Sequence, residues 1–104
     1  MTTKKSLMLM KAAEEVLRLD PKNVKTWSDL GKIRDKQKDY KGAADAYEKA
    51  VEFYPFDDSV WLKLGKIRVK LMDYKGAAEA FEKAAKILPG RLNTGIASWM
   101  QERN

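Results

Sequence analysis

The sequence predicts an all-α fold, a stack of antiparallel helix pairs with about six helices, and three observations carry that reading. Residues 24–57 and 58–91 align without a gap at a period of 34, and 18 of the 34 aligned pairs are identical. Within each copy the apolar residues recur at spacings of three and four, which fits a helix face and not a strand. Pro21, Pro55 and Pro89 stand 34 residues apart and punctuate the copies. A fixed period of this length marks stacked supersecondary units, each unable to bury its apolar face alone.

The first element is expected at 6–21, where Leu9, Ala12, Ala13, Val16 and Leu17 share one side before Asp20-Pro21 stops the helix. It matches only the second half of the repeat. The copy at 24–57 opens with Asn23 as N-cap and continues through Trp27, Leu30 and Ile33. Asp39 then caps a second helix that buries Ala43, Ala44, Tyr47, Ala50 and Val51, with Pro55 as its stop. The copy at 58–91 follows the same plan: Asp57 as cap, then Trp61, Leu64, Ile67 and Leu71. Asp73 caps a helix burying Ala77, Ala78, Phe81, Ala84 and Ala85, with Pro89 as stop. Gly31 and Gly65 lie inside helices, where glycine costs about 1 kcal/mol against alanine. The same cost at the same place in both copies argues for a close helix crossing. Phe53, Tyr54 and Phe56 bracket Pro55 and are expected to be buried between units. The last expected helix, within 92–104, places Ile96, Trp99 and Met100 on one face as a cap. The whole of 1–104 then forms one domain.

There is no Cys and no His, which removes disulfides, thiolate sites and the commonest general base and metal ligand. The carboxylates form only ordinary helix-surface patterns, and no Gly-rich phosphate loop is present. We expect no catalytic residues, no metal and no cofactor. No apolar run approaches a membrane span, and the apolar stretch near the N-terminus stops at Lys11, so a cytoplasmic location is expected. The net charge of +6 is uneven: seven basic and seven acidic residues cancel in 24–57, whereas eight basic and four acidic residues leave +4 in 58–91. Such a unit attracts acidic peptides or polyanions.

The unit resembles the tetratricopeptide repeat. The resemblance rests on Trp27-x2-Leu30-Gly31, Tyr40, Ala43, Tyr47, Ala50 and Pro55, and on Trp61-x2-Leu64-Gly65, Tyr74, Ala77, Phe81, Ala84 and Pro89. It implies a right-handed superhelical stack, a non-enzymatic scaffold, and a concave groove lined by the first helix of each pair. Members that bind chaperone tails use a clamp of Lys and Asn residues on those helices. Here the matching places hold Ser28 and Lys32 with Asp29 alongside, then Lys63, then Asn93 and Ala97, so that clamp is incomplete. Arg34 and Arg68 stand where the family usually has an aromatic residue. Their stems either cover apolar surface or their heads pair with acids of the next helix.

The exposed stripe of the first helices follows from helical spacing alone. It comprises Lys25, Ser28, Asp29, Lys32 and Lys36 in one unit, and Ser59, Leu62, Lys63, Lys66, Val69 and Lys70 in the next. Lysines beside Leu62 and Val69 suit an acidic peptide with an apolar anchor. Partner-binding residues are therefore expected at Lys25, Ser28, Lys32, Lys36, Leu62, Lys63, Lys66, Val69 and Lys70. Two other readings stand beside it: a basic nucleic-acid-binding repeat, and an oligomerising piece of a longer array that self-associates through its stack ends. Trp99 is expected as a cap residue that would mark an interface if exposed, and Met8 and Met10 as either adaptable core or a Met-rich contact surface.

Overall fold

Four of the helices begin where a short polar side chain accepts from the first free backbone N–H groups. In the computed structural model, which describes residues 4–92 with side chains described to 87, five helices follow. They are α1 (Lys4–Leu19), α2 (Val24–Lys36), α3 (Tyr40–Phe53), α4 (Asp58–Lys70) and α5 (Tyr74–Leu92). Asn23 Oδ1 accepts from the Thr26 N–H at 3.0 Å, Asp57 Oδ1 from the Ser59 N–H at 3.0 Å, and Asp39 and Asp73 from the N–H groups of Gly42 and Gly76 at 3.0 Å. All four expected N-caps are therefore present. Gly42 and Gly76 are part of the cap, because a Cβ there would strike the Asp39 or Asp73 carboxylate. The sixth expected helix, within 92–104, lies outside the described residues, as do Ile96, Trp99 and Met100.

The turns inside the two pairs are identical in kind. After α2, Lys38 takes φ 64°, the Lys38 N–H donates to Asp35 O and the Asp39 N–H donates to Arg34 O, both at 2.9 Å. After α4, Met72 takes φ 62°, with matching bonds from Met72 to Val69 O at 2.9 Å and from Asp73 to Arg68 O at 2.8 Å. These are Schellman turns, with a side chain at the left-handed position that favours glycine.

Short connections make sequence neighbours antiparallel, and packing is most extensive within the pairs α2–α3 and α4–α5, with α1 against α2 and α3 against α4. The apolar interior runs along the stack in two clusters. Ala13, Leu17, Leu30 and Ala46 join α1, α2 and α3, while Tyr47, Ala50, Val51, Val60, Leu64 and Ile67 join α3 to α4. Within each pair the crossing is set by an aromatic ring lying on a glycine. A Cβ on Gly31 would lie 2.8 Å from the Tyr47 ring, and one on Gly65 2.6 Å from the Phe81 ring.

Three expectations need correction. Pro89 does not end its helix, since α5 continues to Leu92. Proline withdraws one donor, but its fixed φ of about −65° is itself helical, so the chain passes through. Pro55 stops α3 because Asp57 opens a new helix two residues on. Tyr54 and Phe56 are not buried between units: they are 50% and 66% exposed and meet each other edge-on at 5.6 Å. Ala78 and Ala85 are exposed although Ala44 and Val51, their counterparts in α3, are buried under α4.

Three outcomes follow for stability. Gly31→Ala should destabilise the fold by about 1–3 kcal/mol in urea denaturation despite the better helix propensity. Gly65→Ala should cost less, because the half-buried Phe81 ring can move outward and the buried Tyr47 ring cannot. Met72→Gly should raise the denaturation midpoint, since relieving the left-handed strain of about 1–2 kcal/mol outweighs the added freedom of the unfolded chain. The third concerns pH. Burial first, and then the charges of Asp35 and Asp29, push the Tyr47 hydroxyl up to about 12 from 10.0. The folded state therefore keeps a proton that the unfolded chain releases. The stability this provides is full below pH 10 and is lost as pH rises through 12. Tyr47→Phe should flatten that part of the alkaline melting-temperature profile.

Candidate protein-binding groove

The buried sides of α2 and α4 decide which residues point outward. Leu30 and Gly31 are buried on α2, and Val60, Leu64, Gly65 and Ile67 on α4. The tryptophans fix both helices at their start. Trp27 and Trp61 are half-buried against the core, and their indole Nε1–H groups donate to Pro21 O and Pro55 O, each at 2.8 Å. Each first helix is thus tied to the loop that precedes it. The repeated six-residue Pro-to-Trp spacing was the signal for this bond, and a reading of apolar periodicity alone misses it.

Arg34 and Arg68 resolve the family's missing aromatic. Arg34 Nη1 donates to Gly42 O at 3.1 Å and Arg68 Nη1 to Gly76 O at 3.0 Å, so each arginine ties the first helix of its pair to the first turn of the second. Arg68 also reaches back to Glu48 Oε2 of the preceding unit at 3.1 Å. The guanidinium fork makes both bonds at once.

The expected partner-binding residues separate into three groups. Lys25 is exposed and lies 3.5 Å from Asp29 Oδ2, an exposed pair that contributes little. Ser28 is half-buried beside it, while Lys32 and Lys36 are exposed and line an open hollow of roughly 360 Å³ between α1 and α2, together with Lys5, Ser6, Leu9, Asp29 and Ile33. On α4, Leu62 and Lys63 are half-buried, Lys66 is exposed and Val69 is 42% exposed. Lys63 and Lys66 make no ion pair among the described residues. Lys70 is engaged: its Nζ lies 2.9 Å from Asp35 Oδ1 on α2 and 5.0 Å from the centre of the Tyr40 ring. The hydrogen bond to Asp35 is the main reason its ammonium is held above the ordinary lysine value. Lys70 therefore joins the two units, with Asp35 one period and one residue before it.

No helix of the described residues is long and apolar enough to cross a membrane, and no group of three or more acidic residues there could hold a metal ion.

Two tetratricopeptide repeat models match the chain, at residues 24–57 and 58–89. A curated relative, the heat-shock protein cognate (HSC) co-chaperone sgt12 of Aspergillus fumigatus, is 52% identical over 40 residues, which cover 38% of this chain and 12% of the relative. A solved structure of MamA superposes with a TM-score of 0.81 at 18% identity, over 88% of this chain and 53% of that one. A MamA fragment from Desulfovibrio magneticus RS-1 superposes with a TM-score of 0.78 at 25% identity, over 86% and 50% of the two chains. The chain thus spans about half the length of these structures and a small part of the co-chaperone. These helical stacks share its fold. With both copies matched across 24–89, the chain belongs to the tetratricopeptide repeat family.

Proposed function

We propose that the chain is a non-enzymatic protein-interaction module that takes an acidic peptide segment along the outer face of α2 and α4. The observation that carries this reading is the state of α4. Its inner side is buried, while Lys63 and Lys66 stand beside Leu62 and Val69 without acidic partners among the described residues. Lysines left unneutralised next to aliphatic surface recognise carboxylates and an apolar anchor together. Lys25, Ser28, Lys32 and Lys36 extend the same surface along α2, and Lys70 holds the two helices in place through Asp35. The +4 charge of 58–91 supports an acidic partner. The family and the co-chaperone relative support a protein partner. A cytoplasmic site of action is part of this proposal.

Binding should be modest and salt-sensitive, because exposed pairs contribute about 0–1 kcal/mol each and are screened. The test is fluorescence anisotropy with a labelled ten-residue peptide carrying four glutamates and two leucines, against its glutamine counterpart. The glutamate peptide should bind more tightly, and Lys63→Glu with Lys66→Glu should weaken it about tenfold or more. Lys41→Glu with Lys75→Glu, at the starts of α3 and α5, should change it little. Equal losses from both pairs would mean general attraction of polyanions and would favour nucleic acid.

A further inference from the structure

The chain contains its own template for a missing contact. The inner face of α3 packs against both α2 and α4, and Ala43, Ala46 and Ala50 on it are 0% exposed. The positions 34 residues earlier on α1 are Leu9, Ala12 and Val16. Leu9 is 48% exposed, Val16 is 38% exposed, and Ala12 is exposed as well. Ile33 of α2 is half-buried where its counterpart Ile67 is buried. The α1–α2 contact repeats the α3–α4 contact, and the helix that α2 supplies to the later pair has no equivalent here among the described residues. What remains is a trough. Its three adjoining hollows all share Leu9, and Ala12, Val16 and Ile33 line parts of the same floor.

Its chemistry differs from that of the internal seat in two ways. At the internal seat Lys70 meets Asp35 of the covering helix at 2.9 Å. Lys36, the counterpart of Lys70, makes no ion pair among the described residues. Lys5 stands where the internal seat has Asp39, and Lys4 and Lys32 add to the same rim. The rim is therefore predominantly cationic, with Asp29 already facing Lys25. The second difference is steric. Tyr47, whose ring fills the internal seat up to Gly31, is replaced at this end by Ala13, which lines a hollow of roughly 200 Å³.

We propose that this trough, which borders the α2–α4 groove along Lys32 and Lys36 but has its own floor on α1, is a docking site for an acidic amphipathic helix of a partner protein. The occupant takes the place that α2 takes against α3. It presents an apolar stripe to Leu9, Val16 and Ile33, and a carboxylate to Lys36 as Asp35 does to Lys70. Because Ala13 leaves room, it carries a bulky apolar residue at the position where α2 has Gly31. Helix-in-groove recognition of this kind is read through anchors spaced by three and four, and the opposite charges set orientation and rate.

The experiment uses the full chain and a labelled, end-capped peptide. The peptide repeats the apolar positions of α2, carries leucine in place of Gly31, and has glutamate at every outward position. A second peptide has lysine at those outward positions, and a third keeps glycine at the crossing. Anisotropy measures affinity, backbone amide shifts locate the site, and circular dichroism confirms that each variant stays folded. The glutamate–leucine peptide should bind best, with shifts centred on Leu9, Ala12 and Ile33. Leu9→Gln and Lys5→Glu should each weaken it about tenfold. Lys63→Glu with Lys66→Glu, which tests the α2–α4 groove, should leave it unchanged. Several results would overturn the proposal: no binding by a folded chain, equal binding of the lysine peptide, or loss only from the Lys63 and Lys66 pair. So would self-association abolished by Leu9→Gln and competed by the peptide, which would assign the face to a second copy of the chain.

Discussion

The ring-on-glycine contact governs the geometry on which everything else rests. Tyr47 against Gly31 and Phe81 against Gly65 bring paired helices closer than any side chain at the glycine would permit. That approach lets the small face of α3, with Ala43, Ala46 and Ala50, close completely. Short helices with so many alanines carry little apolar area each, so they need close approach to exclude water. The arginine bond from Arg34 to Gly42 O and its repeat from Arg68 to Gly76 O join the same paired helices.

Polar contacts divide the labour differently. Within a pair, and from each tryptophan to the loop before its pair, they are made to backbone: caps on N–H groups, arginine on a carbonyl, and indole on the carbonyl of the preceding proline. Between pairs they are made by side chains of opposite charge, Arg68 with Glu48 and Lys70 with Asp35. Backbone contacts are indifferent to sequence and so repeat faithfully. Side-chain contacts depend on what the neighbouring unit offers, and this lets one unit be balanced in charge and the next basic.

Most of the fold was legible because the same rule is written twice. Helix starts at Asn23, Asp39, Asp57 and Asp73 follow from local capping chemistry, and the crossing glycines follow from a repeated cost. What was not legible depended on neighbours. Ala44 and Ala78 are identical residues in identical local settings, yet among the described residues only the first lies under a following helix. Pro89 and Pro55 differ in what comes after them, not in themselves. The same holds on the outer surface, where helical spacing located the stripe but could not tell that Lys70 was already held by Asp35 while Lys66 was not. Leu9, Lys5 and Ile33 escaped notice as lining residues because, among the described residues, no helix packs on that side of α1.

The interior described above has no centre. One apolar cluster joins α1 to the first pair and another joins the first pair to α4, with Trp27 touching both. Stability in such a stack is a sum over neighbours, so its parts can open separately. Detaching α1 exposes mainly Ala13 and Leu17 on its own side, whereas opening α3 breaks contacts in both clusters. The chain is therefore a graded structure. Amide protons in α3 exchange only when most of the protein unfolds, those in α1 exchange through a cheaper local detachment, and a ligand that fastens the outer helix slows exchange there without changing the shape of the middle.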